Sequence, residues 1–435
     1  MKKGMVFGAG VSGLGAKDIL IKMGYEVILV DDKIAMTSKE ALEKLKEIDI
    51  FIKSPGVPYT ELVKKVKEMN IEIIDEIELG YRYKIQKQIP GKIIAITGTN
   101  GKTTVTTKIT ELLNFSGFKA KFCGNIGVSF SKTLIENEKI DYFVLELSSY
   151  QLENIKEFKA DIAMIINLAP DHLNRYKDEE HYYDTKFNII NNQTKEDLFI
   201  LNVNCDNLMK RAPKIKSKIS LIGLDKKMEN QQGYIKDGFL IYENENILDI
   251  SRVSLKGKHN LENMLFIVST VKYLGVSNNK IREFLYNTTS LEHRMEIFYN
   301  YGLNKFVNDS KGTNIESTKF AIEAYNSPIL ICGGVDKKLD LKPLAKIIKE
   351  KVKEVYLIGE IADKLENELK EINYDNSKIF NLKELENVVI KLKENLKEDA
   401  ENIVLFSPTT ASFDQFKNFE MRGKIFKELI FKYFK

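Results

Sequence analysis

At 435 residues the chain exceeds what one ordinary hydrophobic core serves, so two or three domains are expected. Its 43% hydrophobic and 29% charged residues are those of a soluble globular protein, and no apolar run suggests a membrane span, signal peptide or anchor. A net charge of +4 with lysines interspersed among acids leaves no nucleic-acid footprint, while three scattered cysteines, Cys123, Cys205 and Cys332, offer neither a disulfide framework nor a metal set and fit a reducing cytoplasm.

The chain opens with a strand at Met5 to Phe7, the turn GAGVSGLG from Gly8 to Gly15, an amphipathic helix to Met23, and the strand VILV ending at Asp31 and Asp32. This is a βαβ unit with the G-x-G-x-x-G turn, in which a diphosphate sits on the helix N-terminus and an acid meets a ribose hydroxyl. Alone, the fingerprint does not choose between a nicotinamide dinucleotide and another nucleotide. A further strand, Ile50 to Lys53, ends in Ser54-Pro55-Gly56, a tight turn at the strand end where open α/β sheets gather ligands. One more unit passes through Ile71 to Ile74, and Pro90-Gly91 closes the first domain.

From Lys92 a second α/β pattern begins, organised around ITGTNGKTT, Ile96 to Thr104. Gly98 and Gly101 let backbone N–H groups approach phosphate oxygens, Lys102 adds charge for the outer phosphates, and the Thr103 hydroxyl is placed for Mg²⁺. Ile96 stands where the G-x-x-x-x-G-K-[ST] pattern has its first glycine, which makes this a shorter loop variant. The strand Tyr142 to Leu145 ends in Glu146, well placed to bind Mg²⁺ directly or through water; the plainer alternative is an acid at a helix N-terminus. Ile162 to Asn167 is a strand that delivers Asp171 and His172, and a helical stretch carries Lys186. Asn260 and Asn263, near the start of a later helix, can cap it or contact the nucleotide. Residues 203–256 are strand-rich and show no tie to chemistry.

A third alternating pattern follows LEHRMEIF, with apolar runs at Ile329 to Cys332, Val355 to Ile358 and Ile403 to Phe406. Three polar loops accompany them: NDSKGTN from Asn308, GGVDKKLD from Gly333, and SPTTASFDQFKNFEMRG from Ser407. Any one could be a plain connection, but three at the ends of one parallel sheet point to a ligand site.

With these strings in hand, ELSSYQLE, DHLNRY, HNLEN, EHRME, NDSKGTN and FDQFKNFEMRG among them, the chain resembles the Mur ligase family along nearly its whole length. The last string looks like the D-glutamate-adding members and unlike those that add L-alanine or a diamino acid. The resemblance implies an α/β protein of three domains: residues 1–90, Rossmann-like, for the UDP-sugar; 91–290, a central P-loop ATPase domain with a parallel sheet; and 291–435, Rossmann-like, for the amino acid. It implies an ATP-dependent, ADP-forming ligase that adds D-glutamate to UDP-N-acetylmuramoyl-L-alanine in peptidoglycan precursor synthesis, cytoplasmic and monomeric, with rotation of the third domain as its closing step. Carried over by position, Val11, Ser12, Asp31, Asp32, Ser54 and Asn125 contact the UDP-sugar. Gly98, Thr99, Asn100, Gly101, Lys102, Thr103, Thr104, Val105, Asn263, Arg294 and Asp309 contact ATP. Thr103, Glu146, His172 and Lys186 serve two Mg²⁺ sites, with Lys186 as a carbamate, and His172 either ligates metal or orients the amine. Lys311, Thr313, Lys337, Ser412 and Phe419 hold the phosphate and D-glutamate. Two positions depart from the family pattern: the acid in GGVDKK, Asp336, stands one place later than in some members, and Asp32 replaces a residue that is often a hydroxyl. The competing readings are an L-alanine-adding ligase, a nicotinamide-dependent oxidoreductase using GAGVSGLG, and a nucleotide-sensing regulator on a spent ligase fold.

Overall fold

The computed structural model of the chain describes residues 1–136, 139–171, 175–255 and 257–435. Among these, the strands form three sheets, all α/β and mostly parallel. The first, in spatial order, is Glu26–Val30, Lys3–Phe7, Ile50–Lys53 and Glu72–Ile74, parallel throughout. The second runs Glu245–Asp249, Phe239–Tyr242, Gly233–Lys236, Lys218–Ile222, Leu198–Asn202, Ile162–Ile165, Lys92–Thr97, Tyr142–Glu146 and Ala120–Gly124. The third runs Glu296–Tyr301, Asn304–Asn308, Ile403–Phe406, Ile329–Gly333, Glu354–Ile358 and Ile379–Lys383.

Packing divides the chain into two compact units, residues 1–253 with 261–286, and residues 254–260 with 287–435. In the first unit, the first two sheets share one apolar cluster. Ile52, Ile74 and Ile77 from the N-terminal segment pack with Phe130, Phe143 and Leu145 from the central one. Glu78 adds a polar fastening to this junction: its carboxylate, fully buried, accepts the backbone N–H groups of Lys156, Glu157 and Phe158 and the Arg82 Nε.

In the second unit, alternate residues of each central strand feed opposite faces. Leu330, Cys332, Val355 and Leu357 belong to one cluster, Ile329, Ile331, Tyr356 and Ile358 to the other. Burial on both faces is why these strands read as unbroken apolar runs.

The region 203–256 turns out to extend the central sheet. The strands Gly233–Lys236, Phe239–Tyr242 and Glu245–Asp249 pair antiparallel through two-residue turns. Asp237 and Gly238 take φ of 50° and 80°, and Glu243 and Asn244 take 49° and 64°, the left-handed pairs that tight hairpins require.

Near the N-terminus, the helix Val11–Lys22 buries Ala16, Ile19 and Leu20 but leaves Val11, Leu14 and Ile21 exposed, so it is less cleanly amphipathic than its pattern suggests. Its glycines set its approach to the sheet: a Cβ on Gly13 would stand 1.8 Å from the Gly8 carbonyl oxygen, whereas one on Gly10 would meet nothing within 4 Å.

Candidate active site

Sheet order alone gathers the central chemistry. The strands Ile162–Ile165, Lys92–Thr97, Tyr142–Glu146 and Ala120–Gly124 are consecutive neighbours, so their carboxyl ends present Asn167, Gly98, Glu146 and Asn125 along one edge. In register, Glu146 lies between Ile96 on one side and Gly124 on the other. Here the strand beginning at Lys92 has partners that follow it in sequence on both sides, the switch point where such sheets bind ligands.

After Thr97 the chain turns through Gly98 at φ 150° and Gly101 at φ 84° into the helix Lys102–Phe115. A Cβ on Gly101 would fall 2.6 Å from the Asn263 Oδ1, so glycine is needed there both for its dihedral and for the approach of that amide. The helix has no acid in its first turn and no side-chain cap, leaving its first N–H groups for an anion. Asn167, which sequence reading placed at a strand end without a role, braces the loop. It accepts the Asn100 N–H on Oδ1 (2.9 Å) and donates from Nδ2 to the Asn100 carbonyl (3.1 Å). Thr99 donates its hydroxyl to the Ala169 carbonyl and accepts the Ala169 N–H. Thr103 and Thr104 are half-buried in the first helical turn, while Val105 is fully buried and its N–H bonds the Gly101 carbonyl.

Two lysine side-chain nitrogens converge on one backbone oxygen. Lys102 Nζ donates to the carbonyls of Gly98 (2.8 Å) and Thr99 (2.9 Å), and Lys186 Nζ donates to Gly98 as well (2.9 Å). Lys186 projects from the helix Glu179–Phe187, whose N-cap Asp178 accepts the His181 N–H. It is 2% exposed, lies 3.4 Å from the Thr97 hydroxyl, and stands 4.8 Å from the centre of the Tyr182 ring. Burial, reinforced by the charge of Lys102, pushes its pKa well below the ordinary lysine range, against the pull of Asp171 and Glu146.

Glu146 is 1% exposed; its Oε1 accepts Asn125 Nδ2 at 3.0 Å, and its Oε2 has no hydrogen-bond partner among the described residues. A buried carboxylate oxygen with no partner among the described residues, at the strand end next to the loop and close enough to Lys186 to act on its charge, is a hard-oxygen donor that fits a magnesium ion. His172 lies outside the described residues.

At the N-terminal turn, Val11 is exposed and Ser12 half-buried in the first turn of the helix. Asp31 spends both oxygens on backbone, accepting Ala9 N–H (2.9 Å) and Lys33 N–H (3.1 Å), and these bonds lower its pKa. Asp32 accepts the Ser38 N–H at 2.6 Å. Ser54 donates its hydroxyl to the Gly8 carbonyl at 3.1 Å, joining the Ser54-Pro55-Gly56 turn to the glycine turn. Asn125 also donates its backbone N–H to the Glu146 carbonyl.

The second unit carries its own cluster. Asp309, at the end of Asn304–Asn308, accepts the Ser407 hydroxyl on Oδ2 (2.8 Å) and the Met295 N–H on Oδ1 (3.3 Å), and burial pushes its pKa up to about 7. His293, beside Arg294, takes φ 62° and faces Asn308 Nδ2 across 2.9 Å, while its carbonyl accepts the Lys311 N–H. Lys311 Nζ lies 4.2 Å over the ring of Phe419, the first residue of the helix Phe419–Tyr433. Thr313 is half-buried, Ser412 buried, and Lys337 exposed in the loop after Gly333. Sequence reading missed Arg422, whose buried guanidinium donates to Ser310 and to the Thr410 carbonyl; its place in the MRG string was the available signal. Glu292, His293 and Glu296 lie close enough to suggest a metal set, but Lys427 Nζ already bridges both carboxylates at 3.0 and 2.6 Å.

Residues 96–271 match the Mur ligase middle domain. A UDP-N-acetylmuramoylalanine--D-glutamate ligase of Fusobacterium nucleatum is 52% identical over 434 residues, covering 100% of both chains, and one of Caldanaerobacter subterraneus is 38% identical over 449 residues, covering 99% of this chain and 98% of the other. Among solved structures, UDP-N-acetylmuramate-alanine ligase MurC of Thermotoga maritima aligns with a TM-score of 0.62 at 16% identity, over 99% and 100% of the two chains. MurF of Acinetobacter baumannii gives 0.65 at 15%, over 90% and 87%. At such identities these two speak to the fold alone.

Proposed function

The chain belongs to the Mur ligase family, and from that premise we propose that it is the ATP-dependent ligase that adds D-glutamate to UDP-N-acetylmuramoyl-L-alanine in peptidoglycan precursor synthesis. The observation that carries the chemistry is the convergence of Lys102 and Lys186 on Gly98, together with Glu146, which acts on the charge of Lys186 and whose buried Oε2 has no hydrogen-bond partner among the described residues. A nicotinamide oxidoreductase would leave that arrangement idle.

The acceptor carboxylate is a poor electrophile in water. One of its oxygens attacks the γ-phosphorus of ATP, the bond to the β-phosphate oxygen breaks, and ADP departs. The amine of D-glutamate, its ammonium form having given one proton to solvent, then attacks the acyl carbon; the C–N bond forms, the C–O bond to phosphate breaks, and inorganic phosphate leaves with the second N–H proton. In this scheme Lys102 neutralises charge on the transferring phosphoryl group, and the N–H groups from Gly101 to Thr104 at the start of the helix orient it. Holding three reactants in line supplies much of the remainder, on the order of 7–11 kcal/mol in well-oriented systems. Magnesium bound there supplies further charge neutralisation on the phosphate oxygens. Thr103, Glu146, His172 and a Lys186 carbamate are the residues that would hold it, in two sites.

The low pKa of Lys186 supports the carbamate reading, because only a neutral amine adds to carbon dioxide. Protein equilibrated with ¹³C-bicarbonate should show a carbamate resonance that Lys186→Arg lacks; its absence from the unsubstituted protein removes that assignment. We assign residues 1–90 to the UDP-sugar, with Val11, Ser12, Asp31, Asp32, Ser54 and Asn125 as contacts. Residues 91–290 take ATP, with Asn263 among its contacts. Residues 291–435 take D-glutamate through Lys311, Thr313, Lys337, Ser412 and Phe419, and add Arg294 and Asp309 to the nucleotide. We place the reaction in the cytoplasm, with its nucleotide substrates.

The deciding experiment is phosphate release from ATP with the UDP-muramoyl-alanine acceptor across an amino-acid panel. D-glutamate alone should trigger turnover, and Lys102→Ala should lower it by about two to three orders of magnitude. Turnover with L-alanine on the bare sugar nucleotide, or an unimpaired Lys102→Ala protein, overturns the proposal.

A further inference from the structure

A second constellation in the first unit lies beside the acceptor turn and has no part in the chemistry above. Glu153, just after the short helix Ser149–Leu152, takes four hydrogen bonds on its two oxygens. Oε1 accepts Arg175 Nε (2.9 Å) and the Tyr176 hydroxyl (2.9 Å); Oε2 accepts Arg175 Nη2 (2.7 Å) and the Tyr59 hydroxyl (3.2 Å). The third edge of the guanidinium donates through Nη1 to the Pro55 carbonyl at 3.3 Å. Its faces are covered too: the Tyr150 ring centre lies 4.0 Å from Cζ and the Tyr59 ring centre 5.6 Å. Lys53 and Lys67 place their ammonium groups 5.2 and 4.3 Å from that same Tyr59 ring.

The arrangement joins three segments that are remote in sequence. One is the Ser54-Pro55-Gly56 turn, whose serine bonds the fingerprint residue Gly8. Another is the helix that follows Glu146, and the third is Arg175 and Tyr176, just before the helix bearing Lys186. Packing alone does not account for it, since apolar side chains of similar volume would join the same segments without the desolvation cost of a largely buried ion pair. What a planar, bidentate and ring-flanked guanidinium adds is a fixed geometry, which a lysine or an apolar residue cannot reproduce.

We propose that Arg175, held by Glu153, Tyr150 and Tyr59, is a positioning residue for the acceptor: it fixes the Ser54-Pro55-Gly56 turn relative to the phosphoryl-transfer edge, so that the acceptor's nucleotide and its carboxylate are seated together. This rests on the assignment of that turn to the sugar nucleotide. It differs from a structural role in what it perturbs. Loss of Arg175 acts on the acceptor and leaves the ATP loop, which Asn167 and Thr99 brace independently, untouched.

The test is calorimetric binding of UDP-N-acetylmuramoyl-L-alanine, and separately of an ATP analogue, to the intact protein and to Arg175→Met and Arg175→Lys. Acceptor affinity should fall by about tenfold or more in both variants, the loss expected of one charge-assisted contact, with ATP-analogue affinity within about twofold. Acceptor KM in turnover should rise in step. Tyr59 is 40% exposed, so its variants fold even if those at Arg175 do not. Tyr59→Leu should weaken the acceptor, and Tyr59→Phe, which keeps the ring, should recover most of that loss. Unchanged acceptor affinity in Arg175→Met and Tyr59→Leu, or equal losses for both ligands together with a lowered Tm, overturns the proposal while leaving the ligase reading intact. An unsubstituted protein that binds no uridine nucleotide overturns both.

Discussion

Lys186 is a side chain whose burial is costly to the fold and which the proposed reaction puts to use. Its ammonium is buried, donates to the Gly98 carbonyl, and has its pKa driven well below 10.5 by burial and by Lys102. Between that lowered value and 10.5 the unfolded chain binds a proton that the folded chain does not, so stability rises with pH across this window and is reduced below it. Lys186→Met should therefore stabilise the ligand-free protein near neutral pH by on the order of 1 kcal/mol while abolishing ligation. Urea midpoints at pH 7 and pH 9 in bicarbonate-free buffer provide the check: the unsubstituted protein should gain on the variant as pH rises. A variant less stable than its parent at pH 7 contradicts this account of the site. Glu146 is the complementary case: among the described residues its buried Oε2 has no hydrogen-bond partner, which suits it to a cation.

The N-terminal helix and its glycine turn divide fold from binding at neighbouring positions. Gly13 is where helix and strand touch, for its Cβ would stand 1.8 Å from the Gly8 carbonyl oxygen. Gly13→Ala should force the helix outward and cost about 3 kcal/mol, read as a shift of the urea midpoint. Gly10, with nothing within 4 Å of its would-be Cβ, serves a different end. Gly10→Ala should fold with nearly unchanged stability yet bind uridine nucleotide more weakly, because the added methyl stands where a diphosphate approaches the helix N-terminus. Equal stability losses in the two variants would refute this division. The same element logic explains Gly101, where a left-handed φ and the Asn263 amide both exclude a side chain.

For the molecule as a whole, the first unit depends on a junction between two sheets that sequence reading treats as separate domains. Glu78 fastens it by accepting three backbone N–H groups and Arg82 at the edge of the apolar cluster that the two sheets share. Glu78→Ala strands those donors and should cost about 3–5 kcal/mol, seen in calorimetry as an earlier transition split from the rest of the first unit. A single unchanged transition would show that the apolar contacts suffice. The sequence by itself determined the α/β class, the glycine turns, the strand–loop–helix from Lys92 to Phe115, and Glu146 at its strand end, because local dihedral demands and burial on both sheet faces are written into consecutive residues. It left unread the antiparallel extension in 203–256, where short strands carry weak periodicity and the turn pairs Asp237-Gly238 and Glu243-Asn244 were the only signal. Only the tertiary structure decided that Asn167 braces the loop before Lys102, that Lys102 and Lys186 meet on one carbonyl, and that Arg175 reaches Pro55. Those facts depend on which strands lie side by side and on how far a side chain is taken out of water, and neither is encoded at any single position.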